Sequence, residues 1–83
     1  MTKIWFITGS SRGLGRSLTE AVLKSGDKVA ATARNTDNLD GLADQYPGQV
    51  YPVKLDVTLN DEIYAKVKGV TAHYGRIDVL FNN

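Results

Sequence analysis

The segment Thr8-Gly9-Ser10-Ser11-Arg12-Gly13-Leu14-Gly15 holds the clearest capacity for chemistry in the chain. Closely spaced glycines let a backbone turn tightly and approach a ligand, and the free N–H groups where a helix begins favour an anion. That is the chemistry of phosphate binding. Counted from Gly9 the spacing is G-x-x-x-G-x-G, so it is not G-x-G-x-x-G. It is not a Walker loop either, because no Lys-Ser or Lys-Thr follows the last glycine. Two arginines could serve the same purpose: Arg12 inside the loop and Arg34 further along. A planar guanidinium grips a phosphate through two parallel hydrogen bonds. The competing reading, a glycine-rich connection that holds nothing, loses to the agreement between the loop, its setting and the motifs downstream.

These residues need a scaffold, and the composition sets its limits. The chain has 83 residues, 42% hydrophobic and 23% charged, close to soluble globular averages and unlike a disordered tail, a collagen repeat or a membrane protein. A chain of this size builds one small core. Ten Lys and Arg against nine Asp and Glu give a net charge of +1, too balanced for a nucleic-acid binder with its basic face. Cysteine is absent, which excludes disulfides and a Cys-based metal site; nor does any other residue pattern suggest a metal. The early apolar run Ile4-Trp5-Phe6-Ile7 is far short of the ~20 residues that span a bilayer. It is also shorter than the ~7–15 apolar residues of a signal-peptide core. A cytoplasmic protein with no nucleic-acid and no membrane partner is the default expectation.

Short apolar runs alternate with helical patterns, which predicts βαβ units and a parallel sheet. Lys3 to Thr8 reads as a first strand, apolar almost throughout, as in a strand covered on both faces. After the glycine turn, Leu14, Leu18, Ala21 and Val22 fall at helical spacing, and Gly26 supplies a stop. Lys28 to Ala33 is the second strand. Asn35-Thr36-Asp37 can cap a short helix carrying Leu39, Leu42 and Ala43 that ends near Pro47-Gly48. Val50 to Leu55 is a third strand, and Pro52 within it predicts a place at the sheet's edge. Thr58 with Asp61 resembles a capping box, behind which Leu59, Ile63, Val67 and Val70 line one helical face up to Gly75. Ile77 to Phe81 is the fourth strand. Right-handed crossovers then favour the order 3-2-1-4 in a Rossmann-type, doubly wound α/β sheet. The fourth strand would form the other border without the Pro or Lys that usually protects one, so the expectation is the front half of a larger sheet.

With these elements in place, the sequence resembles the short-chain dehydrogenase/reductase family. Thr8 to Gly15 matches its T-G-x-x-x-G-x-G signature, Asp56-Val57 its acidic motif after the third strand, and Asn82-Asn83 the opening of its N-N-A-G motif. The resemblance covers the whole chain in the right order. It implies that the backbone around Ser11, Arg12, Gly13 and Leu14 holds the cofactor phosphates, within a loop running from Gly9 and Ser10 to Gly15. It also implies that Asp56 accepts from the adenine amino group while the Val57 N–H completes the base contact. Asn82 and Asn83 would lie beside the adenosine ribose, the second also tying strands together.

The end of the second strand separates two cofactors. An enzyme using NAD places a carboxylate there for the ribose hydroxyls, and it would repel a 2′-phosphate. At the position where the family usually carries that acid this chain has Ala33, followed by Arg34. With Arg12 across the loop, and Ser10 and Asn35 as neutral donors, the residues point to NADP rather than NAD. Solvated arginines are the plain alternative at both positions.

Family members transfer hydride between the nicotinamide and a carbonyl or alcohol, using a Tyr, a Lys one turn later on the same helix, and an upstream Ser. Tyr64 and Lys68 reproduce the Y-x-x-x-K spacing, but on a helix expected outside the sheet and without a Ser at suitable distance. They read as a half-buried ring beside a solvated amine, which leaves no catalytic residue among these 83 and no turnover from them alone. His73 before Gly75 reads as a helix-end contact, Trp5 as core, and Gly69 has no functional account. The resemblance implies a small-molecule carbonyl or alcohol substrate and a homo-oligomer for the complete protein. Three alternatives remain at this point: a dinucleotide-binding module or sensor without chemistry, a complete short protein with a partner strand on Ile77 to Phe81, and a loop for another adenosine ligand such as S-adenosylmethionine.

Overall fold

The computed structural model describes residues 2–10, 13–56 and 60–81. Four parallel strands, β1 (Ile4–Ile7), β2 (Lys28–Ala33), β3 (Val50–Lys54) and β4 (Val79–Phe81), lie in the order β3-β2-β1-β4. They are joined by α1 (Gly13–Lys24), by a 3-10 turn (Thr36–Leu39) running into α2 (Asp40–Gln45), and by α3 (Asn60–Tyr74). The sheet has the predicted order, with β3 at one edge. Thr58 and its proposed capping role lie outside the described residues.

Side chains alternate across the two faces, as the period of a strand requires. On one face Ile7, Val29, Ala31 and Ala33 pack with Val22 and Leu23 of α1 and with Leu39 and Leu42. On the other, Phe6, Ala30, Val53 and Leu55 meet Val70 of α3, with Ile63 and Val67 packed against them. Burying a ring such as Phe6 in full contributes about 1.5–3 kcal/mol. The strand order reverses between β3 and β4, so right-handed crossovers put α3 on the face opposite α1 and α2. All four carboxyl ends consequently open on the same rim.

Pro52 shows why β3 is an edge. The Val29 N–H donates to the Gln49 carbonyl at 2.8 Å and the Leu55 N–H to the Ala33 carbonyl at 3.0 Å. In a parallel ladder those bonds assign positions 51 and 53 to β2 as well, so position 52 faces outward with its missing N–H.

Side chains and caps fasten the opposite, amino-terminal rim. Lys3 donates its N–H to Asp27 Oδ1 at 3.0 Å, and the Trp5 indole donates to Asp27 Oδ2 at 3.1 Å. Trp5 is therefore half-buried and tethered rather than fully in the core. Ile4 donates to Asp78 Oδ2 at 2.8 Å, and Gln49 Nε2 donates to the carbonyls of Leu23 and Asp27 at 3.0 Å each. Because Asp78 caps β1 through its side chain, β4 starts at Val79 rather than at Ile77. α1 ends where expected: Gly26 donates to Leu23 and Asp27 to Val22, the paired bonds of a Schellman cap. His73 does not act as a simple helix-end contact. It lies flat on Tyr51, ring centroids 4.1 Å apart, with Tyr74 edge-on to both.

Candidate functional site

The turn after β1 is built by hydroxyls and glycines. Gly9 (φ +64°) and Gly13 (φ +63°) occupy left-handed backbone, which costs an L-residue roughly 1–2 kcal/mol. The Gly9 N–H donates to Thr32 Oγ1 at 3.1 Å, and the Ser10 N–H to the Thr32 carbonyl at 2.9 Å. The Thr32 and Ser10 hydroxyls both donate to the Ile7 carbonyl, at 3.1 and 2.8 Å. Thr8 reaches across the sheet, its N–H donating to the Phe81 carbonyl at 3.0 Å. One threonine of β2 thus dictates the path of the chain leaving β1.

Ser10 corrects an expectation. Its side chain is 0% exposed and both its donors are bonded inside the turn, so it shapes the loop instead of offering a neutral donor to a phosphate. Thr32 was not legible as a site residue. The available signal was a hydroxyl inside the otherwise apolar Val29-Ala30-Ala31-Thr32-Ala33, since a buried polar group requires a partner. Beyond the turn, Gly15 is buried with its carbonyl accepting from Thr19 Oγ1 at 2.7 Å, whereas Leu14 is 69% exposed beside the loop. A Cβ at Gly13 would meet none of the described residues within 4 Å beyond its chain neighbours.

The second strand ends in buried Ala33 and exposed Arg34. Among the described residues no carboxylate or carbonyl partners the Arg34 guanidinium, and the acidic Asp37 of the following turn forms no ion pair with it. Asn35 caps that turn, its Oδ1 accepting from the Asp37 N–H at 3.0 Å. Arg16 of α1 reaches over to the turn, Nη1 donating to the Asn38 carbonyl at 3.3 Å. Asp56 lies two residues past the end of β3, half-buried, its N–H donating to Glu62 Oε1 of α3 at 3.2 Å. Gly9, Gly13, Arg34, Asn35 and Asp56 thus share the carboxyl rim of the sheet. Ser11, Arg12, Val57, Asn82 and Asn83 lie outside the described residues.

Tyr64 and Lys68 stand apart from this rim, on α3. Tyr64 is 69% exposed rather than half-buried, and Lys68 Nζ sits 5.6 Å from its ring centroid. A groove of about 360 Å³ runs between β3 and α3, lined by Tyr51, Pro52, Lys54, Lys66 and Gly69 among others. None of the glycine-turn residues line it. Beside it, burial pushes the Tyr74 phenol above its ordinary value, helped by Tyr51. No helix among the described residues is long and apolar enough to cross a membrane, and no three His, Cys, Asp or Glu side chains among them converge as a metal site.

A parallel 3-2-1-4 sheet with a glycine turn at its central carboxyl rim defines a Rossmann-type architecture. The chain belongs to the short chain dehydrogenase family, whose sequence profile matches residues 3–83. It is 52% identical over 84 residues to the Oxidoreductase BOA17 of Botryotinia fuckeliana, covering 100% of this chain and 31% of that protein. The crystal structure of a short-chain dehydrogenase from Streptomyces avermitilis superposes with a TM-score of 0.93 at 44% identity, over 96% of this chain and 30% of that one. A metagenomic short-chain oxidoreductase in complex with NADP gives 0.85 at 31% identity, over 94% and 37%. The chain spans about a third of the length of these relatives.

Proposed function

We propose that these 83 residues form the NADP(H)-binding portion of a short-chain oxidoreductase acting on a carbonyl or alcohol group. The observation that carries this reading is the end of β2: Ala33 offers no carboxylate to a ribose, and Arg34 is exposed with no partner among the described residues. A guanidinium in that state suits the 2′-phosphate that distinguishes NADP from NAD.

The described residues fit such a cofactor. Gly9 and Gly13 allow a close backbone approach, the open side of Gly13 leaves room, and exposed Leu14 supplies apolar surface that a bound ring would cover. Asp56 would accept from the adenine amino group, and Asn35 stands beside Arg34 with its amide nitrogen unbonded among the described residues. Ser11, Arg12, Val57, Asn82 and Asn83 would add the loop, adenine and ribose contacts that the family pattern assigns to them. When bound, the nicotinamide supplies or takes up hydride. The proton donor and its partners would lie outside these residues, since Tyr64 and Lys68 meet each other on the solvent side of α3, away from the glycine turn. The β4 border, three residues long with Leu80 60% exposed, is where further sheet would add and where the substrate-binding part would attach.

The test is fluorescence titration of the full-length protein with NADPH and NADH. A charge-assisted hydrogen bond contributes about 1.5–3 kcal/mol, so Arg34→Ala is expected to weaken NADPH roughly 10- to 100-fold and NADH little. Equal losses for both would overturn the NADP assignment.

A further inference from the structure

We propose that Arg16 is a positioning residue for this 2′-phosphate subsite: by holding the Thr36–Leu39 turn against α1, it fixes the direction in which Arg34 leaves β2. The inference rests on the reading of Arg34 above, and it concerns a residue that no sequence motif singled out.

Arg16 spans two elements. Its Nη1 donates to the Asn38 carbonyl at 3.3 Å across 22 residues of sequence, while its Nε lies 3.8 Å from Glu20 Oε2, one helical turn further along α1. A guanidinium is a rigid planar fork, so a carboxylate steering the Nε edge also orients the Nη edge toward the turn. The turn has other supports, but they act differently. Leu39 anchors its far end in the core, 0% exposed, and the Asn35 cap closes the turn on itself. Among the described hydrogen bonds, only the one from Arg16 joins this turn to the helix that the glycine loop opens. Arg34 precedes the turn by two residues, so a shift of the turn redirects its side chain relative to the loop.

The test is a double-mutant cycle in the full-length protein, read as dissociation constants for NADPH and NADH together with the melting temperature. Arg16→Met is expected to weaken NADPH roughly three- to tenfold, a fraction of a charge-assisted bond, with NADH and melting temperature nearly unchanged. Arg16→Lys, whose ammonium can still donate to the Asn38 carbonyl, should retain most of the NADPH affinity. On an Arg34→Ala background, Arg16→Met should add nothing, because the side chain it positions is gone. Equal weakening of both cofactors would overturn the proposal, as would the same NADPH loss on the Arg34→Ala background, which would mark Arg16 as acting independently of Arg34. Should Arg34→Ala alone leave both affinities intact, the cofactor reading itself fails, and that arm reports it separately.

Discussion

The two rims of this sheet carry similar residue types but use them in opposite ways. At the amino-terminal rim, Asp27, Asp78 and Gln49 are spent on backbone groups and on Trp5, and Arg76 is paired with Asp78 at 3.1 Å. At the carboxyl rim the hydroxyls of Ser10 and Thr32 turn inward to hold the backbone, and Arg34 points out with no partner among the described residues. Polar side chains tie the first rim to itself, whereas the second leaves the Arg34 guanidinium without a partner among the described residues. The rims differ in where their anchoring groups sit, since exposed cations without an ion pair among the described residues, such as Lys24 at the end of α1, occur at the closed rim as well.

The largest effect is expected at Thr32, which holds the carboxyl-rim turn. Thr32→Val removes a hydroxyl that donates to Ile7 and accepts from Gly9, so unfolding stability should fall by about 1–3 kcal/mol and cofactor affinity should fall with it. A denaturation midpoint and an NADPH titration check both effects; a variant that loses stability but keeps full affinity would separate the turn from the site.

At the opposite rim, acid should act on stability alone. Hydrogen bonding from the Lys3 N–H, then from the Trp5 indole, holds the Asp27 carboxyl below its ordinary value, and the Ile4 N–H does the same for Asp78. The folded state therefore binds fewer protons than the unfolded chain near the ordinary aspartate value of about 3.9. Stability present above that pH is lost as pH falls through the lowered folded values. Asp27→Asn with Asp78→Asn should flatten this part of a stability profile and leave cofactor affinity at neutral pH unchanged. An unflattened profile would remove these carboxylates from the account of the closed rim.

The smallest effect belongs to Gly69, in α3 and remote from both rims. An added Cβ there meets nothing within 4 Å, so Gly69→Ala should stabilise the fold by up to about 1 kcal/mol without touching cofactor binding. Loss of stability in a thermal melt would show that the groove beside β3 needs the glycine.

Legibility in the sequence followed the range of the interaction. Continuous apolar runs such as Val29-Ala30-Ala31, the outward Pro52 and the Gly26 stop are local signals, and they led to the sheet order and most boundaries. That the glycine turn, Arg34 and Asp56 share one rim was readable because parallel topology brings every carboxyl end there. Contacts that depend on register were hidden. Thr32 finds the Ile7 carbonyl only because Ile7 pairs with Ala31, and His73 stacks on Tyr51 only because the last turn of α3 crosses the edge strand. Ser10 looked like an outward donor because nothing in Gly9-Ser10-Ser11 reveals that its backbone turns the side chain inward.

A crystal structure of the full-length protein with NADP bound decides whether the exposed guanidinium at the end of β2 holds the 2′-phosphate. The 2′-phosphate is expected within hydrogen-bonding distance of the Arg34 guanidinium, with the pyrophosphate over the Gly9–Gly13 turn. A 2′-phosphate lying in solvent, with Arg34 turned away from it, would rule out Arg34 as its ligand.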